Sequence, residues 1–193
     1  MDGASGGGHS PSMDDSDEAL MARVARGDEL AFRQLSRRHL PAMLGLARRI
    51  LGNAADAEDV AQEAMLRVWT HAPRWQPLAA FRTWLTRVVV NLCLDRKRRA
   101  PWVALEAAGE IVDPALGAAG QAEQHERERM LAAAIAGLPA RQRSAIVLTY
   151  GGGMSNAQVA DILDTTVSAV ETLLVRGKQS LRRALVHVID EDE

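Results

Sequence analysis

The sequence lacks the residues that most enzyme and metal sites require. Cys93 is its only cysteine, so the chain can form neither an internal disulfide nor a cysteine metal cluster. Its five histidines are scattered without the spacing of metal ligands, and no nucleophile, base and acid occur as a set. No glycine-rich phosphate loop of the Walker type is present. We therefore expect a binding protein, not an enzyme, that holds no metal or other cofactor.

Aromatic residues and long apolar runs are also scarce. Aromatics make up 4% of the chain although hydrophobic residues make up 47%, and alanine, leucine and valine dominate without strand-like alternation. This composition predicts an all-α fold. No stretch approaches the roughly 18–20 apolar residues of a membrane span. The first residues are acidic and rich in glycine and serine, unlike a secretion signal. We expect no membrane insertion and a cytoplasmic location.

Charge is distributed unevenly along the chain. The net charge is −2, yet residues 17–100 carry +6 and residues 101–128 carry −5. A mildly acidic protein thus contains a basic module and an acidic connector. These shifts and the helical periodicity predict four parts: a disordered tail (1–16), a first helical domain (17–100), a flexible acidic linker (101–125) and a second helical domain (126–188).

The segment from Ser155 to Leu185 has the pattern of a helix-turn-helix. Ser155 and Gln158 have the spacing of a capping box, and an apolar stripe follows at helical intervals. The turn falls at 164–166, where Asp164 tolerates the positive φ that such turns often require. The second helix then exposes a basic end that suits DNA phosphates. An ordinary helical hairpin with a solvated basic face is the alternative.

A predicted helix over Asp56–His71 has two different faces. Asp56 is the expected N-cap, and small and apolar residues form a core stripe. Four other residues recur at intervals of three and four on a second face: Asp59, Gln62, Glu63 and Leu66. An exposed leucine among polar residues suits a surface that binds a partner.

A basic helix is predicted from about Leu78 to Arg99, after a proline-bounded loop that contains Trp75. Six basic residues and one acid lie between Arg82 and Arg99. The final cluster could contact phosphates, but cations are also favoured at any helix C-terminus. A solvated helix end is therefore the alternative for this cluster.

Three motifs carry a family resemblance: AEDVAQEAMLRVW (Ala57–Trp69), FRTWLTRVVVNLCLDRKRR (Phe81–Arg99), and LPARQRSAIVLTY followed by MSNAQVADIL (Leu138–Tyr150, Met154–Leu163). In their order and separation, the chain resembles the small extracytoplasmic-function type of bacterial RNA polymerase sigma factor, the sigma-24-like family. The resemblance covers roughly residues 17–187.

The resemblance implies partners and residue roles. It implies a chain that binds core RNA polymerase through the β′ clamp helices and the β flap, and that recognises and melts promoter DNA by binding alone. The residues expected to bind the clamp are Asp59, Gln62, Glu63 and Leu66. The residues expected at the minus-ten element are Trp75, Arg87, Asn91, Arg96, Lys97, Arg98 and Arg99. Those expected at the minus-35 element are Thr166, Ser168, Glu171, Thr172, Val175, Arg176 and Lys178.

The chain departs from the family pattern at two positions. Lys or Arg is usual where it has Glu171, and Arg is usual where it has Leu173, which either faces DNA or joins the core. An anti-sigma factor is the expected regulator. A sigma-like decoy and a freestanding helix-turn-helix regulator remain alternatives.

Overall fold

The structure, a computed structural model, describes residues 15–99 and 120–190, with side chains over 15–99 and 126–186. Every regular element in these ranges is helical, which confirms the all-α prediction. The α-helices are α1 (Asp17–Val24), α2 (Glu29–Leu51), α3 (Ala54–His71), α4 (Phe81–Arg99), α5 (Gly120–Ala136), α6 (Ala140–Ile146), α7 (Asn156–Ile162) and α8 (Val167–Asp190).

Local sequence signals set most helix ends in the first unit. Asp28 caps α2 by accepting hydrogen bonds from two backbone N–H groups, and Gly52 ends the helix with φ at +72°. The N-cap of α3 is Asn53, whose side chain accepts from the N–H of Asp56 at 3.0 Å. The prediction of Asp56 as the cap is therefore wrong. Asp56 instead lies in the first turn, where the helix dipole favours an acid.

The predicted boundaries of the tail and the linker are displaced. Ser16 caps α1, and Asp15 pairs with Arg23 at 2.6 Å, so the last two residues assigned to the tail belong to the folded unit. The rest of the predicted tail lies outside the described residues, as does most of the predicted linker. Helix α5 already begins at Gly120, six residues before the expected start of the second domain.

Helices α1–α4 pack around a core with Phe81 at its centre. The carboxylate of Asp17 joins α1 to α2 through Arg38 at 2.6 Å and His39 at 2.8 Å. Glu18 accepts a hydrogen bond from the backbone N–H of Phe81 at 3.1 Å, which caps α4 from another helix. Because this cap comes from a distant segment, α4 begins three residues after the expected Leu78.

Helix α2 continues through Pro41 without a break. Proline removes only its own backbone hydrogen bond and crowds the preceding turn. Residues on both sides of it bury the same face, namely Leu35, Met43 and Ala47. Burial of that continuous stripe holds the helix together across the proline.

Helices α5–α8 form the second unit. After α6 the backbone widens into a π turn over Val147–Gly151. The capping box of Ser155 and Gln158 starts α7, and Asp164 has φ at +48° in the turn before α8, so both predictions are confirmed. Gly177 lets α8 cross α6 closely, because a Cβ there would meet Ile146 at 3.0 Å.

The two units pack against each other through a buried arginine. Arg143 of α6 is 5% exposed, and its guanidinium donates to the carbonyl of Ile50 in α2 at 2.7 Å and to that of Leu138 at 3.0 Å. Both acceptors lie near helix C-termini, where the dipole favours a cation. Burial lowers the pKa of Arg143. No carboxylate among the described residues pairs with it.

Candidate protein and nucleic-acid interfaces

The outward face of α3 presents the four residues predicted to bind a partner. The core stripe of this helix is fully buried, so the opposite side is fixed toward solvent. Asp59, Gln62 and Leu66 are exposed, and Glu63 is half-exposed with its carboxylate 3.1 Å from Arg67. Leu66 is 55% exposed. An exposed leucine flanked by acids and an amide is suited to a basic partner with an apolar cleft.

Three of the predicted DNA contacts share one face of α4. Arg87, Asn91 and Arg98 are exposed and lie four and then seven residues apart, so they recur about every turn or two turns along one line. Opposite them, Leu85, Val89 and the other buried residues of α4 pack on the core. The stripe combines an amide that can hydrogen-bond a base edge with cations that can bind phosphates.

The side chain of Arg96 does not lie on this stripe but contacts two acidic residues near the start of α3. Its Nε donates to Asp56 and its Nη2 to Asp59, both at 2.7 Å. Burial by itself would lower the pKa of Arg96, but the hydrogen bonds to Asp59 and Asp56 outweigh burial and raise it. Arg96 thus contacts a residue predicted to bind polymerase, although the sequence placed it with the DNA contacts.

A groove of about 970 Å³ between α3 and α4 connects the two predicted surfaces. Its walls include Asp59, Gln62, Glu63 and Leu66 from α3, with Arg96 and Arg99 from the end of α4. Sequence periodicity assigns each residue to a face of its own helix, but it cannot show that two faces meet. The groove is therefore a feature that only the packing of α3 on α4 reveals.

Lys97 points toward the second unit. Partial burial of its ammonium group and the nearby charge of Arg143 lower the pKa of Lys97, although much of the side chain remains exposed. Beneath it, burial raises the pKa of the Cys93 thiol to about 12. The thiol is therefore protonated and unreactive near neutral pH. The four basic residues at the end of α4 consequently face three different environments.

The loop before α4 is the most open part of the first unit. Trp75 is half-buried, with its ring centroid 6.3 Å from that of Phe81. Trp84 is also half-buried, packs against the core, and stacks on His71 with the ring centroids 5.6 Å apart. Leu78, which no motif singled out, is 90% exposed at the tip of the loop. Trp75 and Leu78 are the large apolar side chains that this loop offers to a ligand.

Helix α8 presents a polar face with the predicted minus-35 residues. Exposed positions follow helical spacing on the side opposite the buried Val170, Leu174 and Gly177. This exposed face includes Ser168, Glu171, Thr172, Val175 and Arg176. A helix with small, polar and basic side chains on its free face has the shape and chemistry to enter the major groove of DNA.

Two residues of the predicted minus-35 set have other contacts. The hydroxyl of Thr166 accepts the N–H of Ala169 at 3.2 Å and so caps α8. The ammonium of Lys178 lies 4.9 Å from the ring centroid of Tyr150, a cation–π contact that no sequence pattern indicated. The π turn places Tyr150 on the surface beside α8. Both residues remain predicted DNA contacts, but each has a structural partner in the free chain.

The two departures from the family pattern have different surroundings. Leu173 is half-buried and packs against the core, which favours the core alternative at this position. Glu171 is exposed, and no cation of the described part of the chain pairs with it. Its carboxylate is therefore available to an external donor.

The described ranges carry no sign of other classes of site. Among residues 15–99 and 120–190, no three histidine, cysteine or acidic side chains are grouped as metal ligands. Each helix in the same ranges is too short or too polar to span a lipid bilayer.

Each of the two helical units matches a known protein family. The Sigma-70 region 2 family matches residues 35–103, and the Sigma-70, region 4 family matches residues 128–181. The chain is similar to the ECF RNA polymerase sigma factor SigM of Mycobacterium tuberculosis, with 36% identity over 88% of this chain and 85% of SigM. It is also similar to SigW of Bacillus subtilis, with 30% identity over 84% of this chain and 93% of SigW.

Solved structures show the same fold. CnrH in complex with the cytosolic domain of CnrY is 28% identical, with a TM-score of 0.64 over 93% of this chain and all of that chain. RpoE of Bartonella quintana in complex with the anti-sigma factor NepR has a TM-score of 0.64 over 80% of this chain and 96% of RpoE. At 21% identity, the second likeness concerns the fold alone.

Proposed function

This chain belongs to the extracytoplasmic-function sigma factors of the sigma-70 family, and we propose how its surfaces share the work of starting transcription. As an alternative sigma factor, it binds core RNA polymerase and directs initiation at promoters. The observation that carries this function is the match of regions 2 and 4, in that order, to its two helical units. It acts by binding alone, without chemistry of its own, and works in the cytoplasm beside the polymerase.

The exposed face of α3 binds the clamp helices of the β′ subunit. Asp59, Gln62 and Glu63 supply carboxylate and amide groups, and Leu66 supplies apolar area at the centre of a polar patch. Charged groups around an apolar contact favour fast and specific association. The second unit binds the β flap, which separates the two promoter-binding helices along the DNA.

Helix α4 and the loop before it open the minus-ten element. Arg87 and Arg98 bind the phosphates of the melted strand while Asn91 bonds a base edge between them. Trp75 and Leu78 border the place where an unstacked base would be held. Helix α8 enters the major groove at the minus-35 element, with Glu171 accepting a hydrogen bond from a base amino group.

An anti-sigma factor restrains the chain. Support comes from CnrH, a structural relative solved in complex with the cytosolic domain of CnrY. The chain itself offers an apolar groove of about 810 Å³ where the units meet, between the end of α2 and α5, with Leu131, Ile135 and Val147 in its wall. A regulator seated there would contact both units at once.

Run-off transcription on genomic fragments, with purified core polymerase and this chain, tests the function directly. We expect promoter-specific transcripts that depend on the chain. A decoy would bind its anti-sigma partner without producing transcripts, and a freestanding regulator would bind duplex DNA equally well without polymerase. Either result would contradict the proposed function.

The polymerase surface is tested with Gln62→Ala combined with Glu63→Arg. We expect core affinity to fall by one to two orders of magnitude, since interface charge reversals commonly cost a few kcal/mol. The matched control is Glu58→Arg on the same helix, because Glu58 lies one turn before Gln62 at the edge of the exposed face and its carboxylate pairs with Arg48 of α2 at 3.3 Å. Equal affinities for the double variant and wild type, with unchanged melting, would remove this face from the interface.

A further inference from the structure

The last turn of α4 directs its basic residues to different sides of the helix. Arg96 comes nine residues after Arg87, which is two and a half turns, so it lies on the opposite side from the stripe of Arg87, Asn91 and Arg98. A strand that follows this stripe would pass on the side of the helix away from Arg96. Position alone therefore separates Arg96 from Arg87 and Arg98, two of the cations that the sequence grouped with it.

The guanidinium of Arg96 holds two carboxylates that would otherwise repel each other. Asp56 and Asp59 are three residues apart on α3, and like charges at this spacing destabilise a helix. One edge of the planar guanidinium, Nε and Nη2, donates to one oxygen of each at 2.7 Å. Because the two N–H donors of the guanidinium have a fixed separation and direction, they fix the orientation of both carboxylates.

Asp59 has a second oxygen available for a partner. Its Oδ2 accepts from Arg96, whereas its Oδ1 accepts from no residue that the structure describes, and its side chain is 58% exposed. A carboxylate oxygen can accept further hydrogen bonds while the other remains engaged. Arg96 thus fixes the orientation of the Asp59 carboxylate and leaves its Oδ1 available. The carboxylate is therefore already ordered before a partner binds.

We infer that Arg96 is a positioning residue for the polymerase-binding surface, which orients Asp59 toward the core enzyme from the groove between α3 and α4, and is not a contact to promoter DNA. This inference rests on the proposed function, since it assigns Asp59 a partner on polymerase. The inference replaces the minus-ten DNA contact that was predicted for Arg96. It also makes the end of α4 part of both the polymerase interface and the DNA interface.

A double-mutant cycle on the full chain tests the inference, with core polymerase affinity as the measurement. Arg96→Gln should weaken core binding about three- to tenfold in the wild-type background and less than twofold when Asp59 is already Asn, a coupling typical of neighbouring residues. Arg96→Lys keeps the charge but not the fork, so it should recover part of the loss. Glu58→Gln is the control expected to leave core affinity unchanged, and thermal melting of each variant separates affinity from folding.

A second measurement separates positioning from DNA contact. The probe is a single-stranded thymidine 20-mer, whose affinity is measured against salt concentration. Arg98→Gln should reduce the slope by about 0.7, the value for one lost phosphate contact on a single strand, whereas Arg96→Gln should not change it. A lowered slope for Arg96→Gln, or additive effects of Arg96 and Asp59 on core binding, would overturn the inference. If wild type itself fails to bind core polymerase, the proposed function fails instead.

Discussion

Replacement of Arg143 by methionine should loosen the packing between the two units. Methionine keeps the unbranched apolar stem but removes both hydrogen bonds, at 2.7 Å to Ile50 and 3.0 Å to Leu138. Hydrogen bonds from a charged donor contribute about 1.5–3 kcal/mol each. The variant also avoids the cost of burying a cation, which is several kcal/mol per ion. The buried carbonyls lose their donor without gaining water, which costs about 1–3 kcal/mol for each unsatisfied group, so we expect the lost hydrogen bonds to outweigh the relief of burial by about 2–3 kcal/mol.

Replacement of Arg143 by lysine should destabilise the protein at least as much as methionine does. Lysine still carries a charge into a site that is 5% exposed, but its single ammonium cannot reach both carbonyls in the fixed geometry of the fork. The charge-conserving variant should therefore be no more stable than the neutral one. Arg141→Met is the matched control, because Arg141 makes one hydrogen bond within the second unit, to the carbonyl of Leu163.

Urea unfolding followed by two probes gives the measurement. Three of the four tryptophans, Trp69, Trp75 and Trp84, lie in the first unit and none lies in the second, so tryptophan fluorescence reports mainly on the first unit, whereas circular dichroism reports on helices of both units. A loss of 2–3 kcal/mol would lower the urea midpoint by about 1 M for a typical denaturant slope. In Arg143→Met we expect the two transitions to separate. Coincident transitions at the wild-type midpoint, or a lysine variant as stable as wild type, would refute this account of Arg143.

Three further outcomes are expected. Glu171→Lys should raise non-specific DNA affinity and change the preference at one minus-35 base pair by about 10- to 100-fold, and identical selected sequences from a randomised library would show that Glu171 does not contact DNA. Gly177→Ala should lower the melting temperature because its Cβ would meet Ile146 at 3.0 Å, whereas Gly45→Ala, with open space around it, should raise it. Since the pKa of Cys93 is raised to about 12, the folded state stays protonated while the unfolded thiol ionises above pH 9, so this group lowers stability as pH rises from 9 to 12. That contribution should vanish in Cys93→Ala, and reaction with a thiol reagent at pH 8 should require unfolding.

Sequence predicts best those features that depend on neighbouring residues. The capping box at Ser155 and the positive φ of Asp164 are consequences of local backbone chemistry, and both appear where the pattern placed them. The core stripe of α3 follows from helical spacing alone. The family resemblance added the roles of these elements, which no local rule contains.

Features that depend on distant residues could not be predicted in this way. Helix α4 begins at Phe81 because Glu18, 63 positions earlier, caps it, and Arg143 is buried because α6 meets α2. The contacts of Arg96 also depend on a distant segment. Its residue type and its place in a basic run indicated contacts to phosphates. Its actual partners are carboxylates on another helix, which the sequence separates from it by about 40 positions.

The buried contact at Arg143 also limits the distance between the two units. The minus-ten and minus-35 elements are about 25 base pairs apart, or roughly 85 Å at 3.4 Å per base pair. On the proposed assignment of α4 to the minus-ten element and α8 to the minus-35 element, two units in direct contact cannot occupy both elements, so the contact would have to open on a promoter.

Because the two units belong to one chain, their contact forms at an effective local concentration and not at the concentration of separate molecules. Covalent connections commonly hold two surfaces at an effective concentration on the order of millimolar. An interface too weak to form between separate molecules can therefore be well populated within one chain. Each 1.4 kcal/mol in the free-energy difference between molecules with the units in contact and molecules with the units apart changes the ratio of the two tenfold. A partner that binds the separated units and a partner that binds them in contact would act on this one equilibrium in opposite directions.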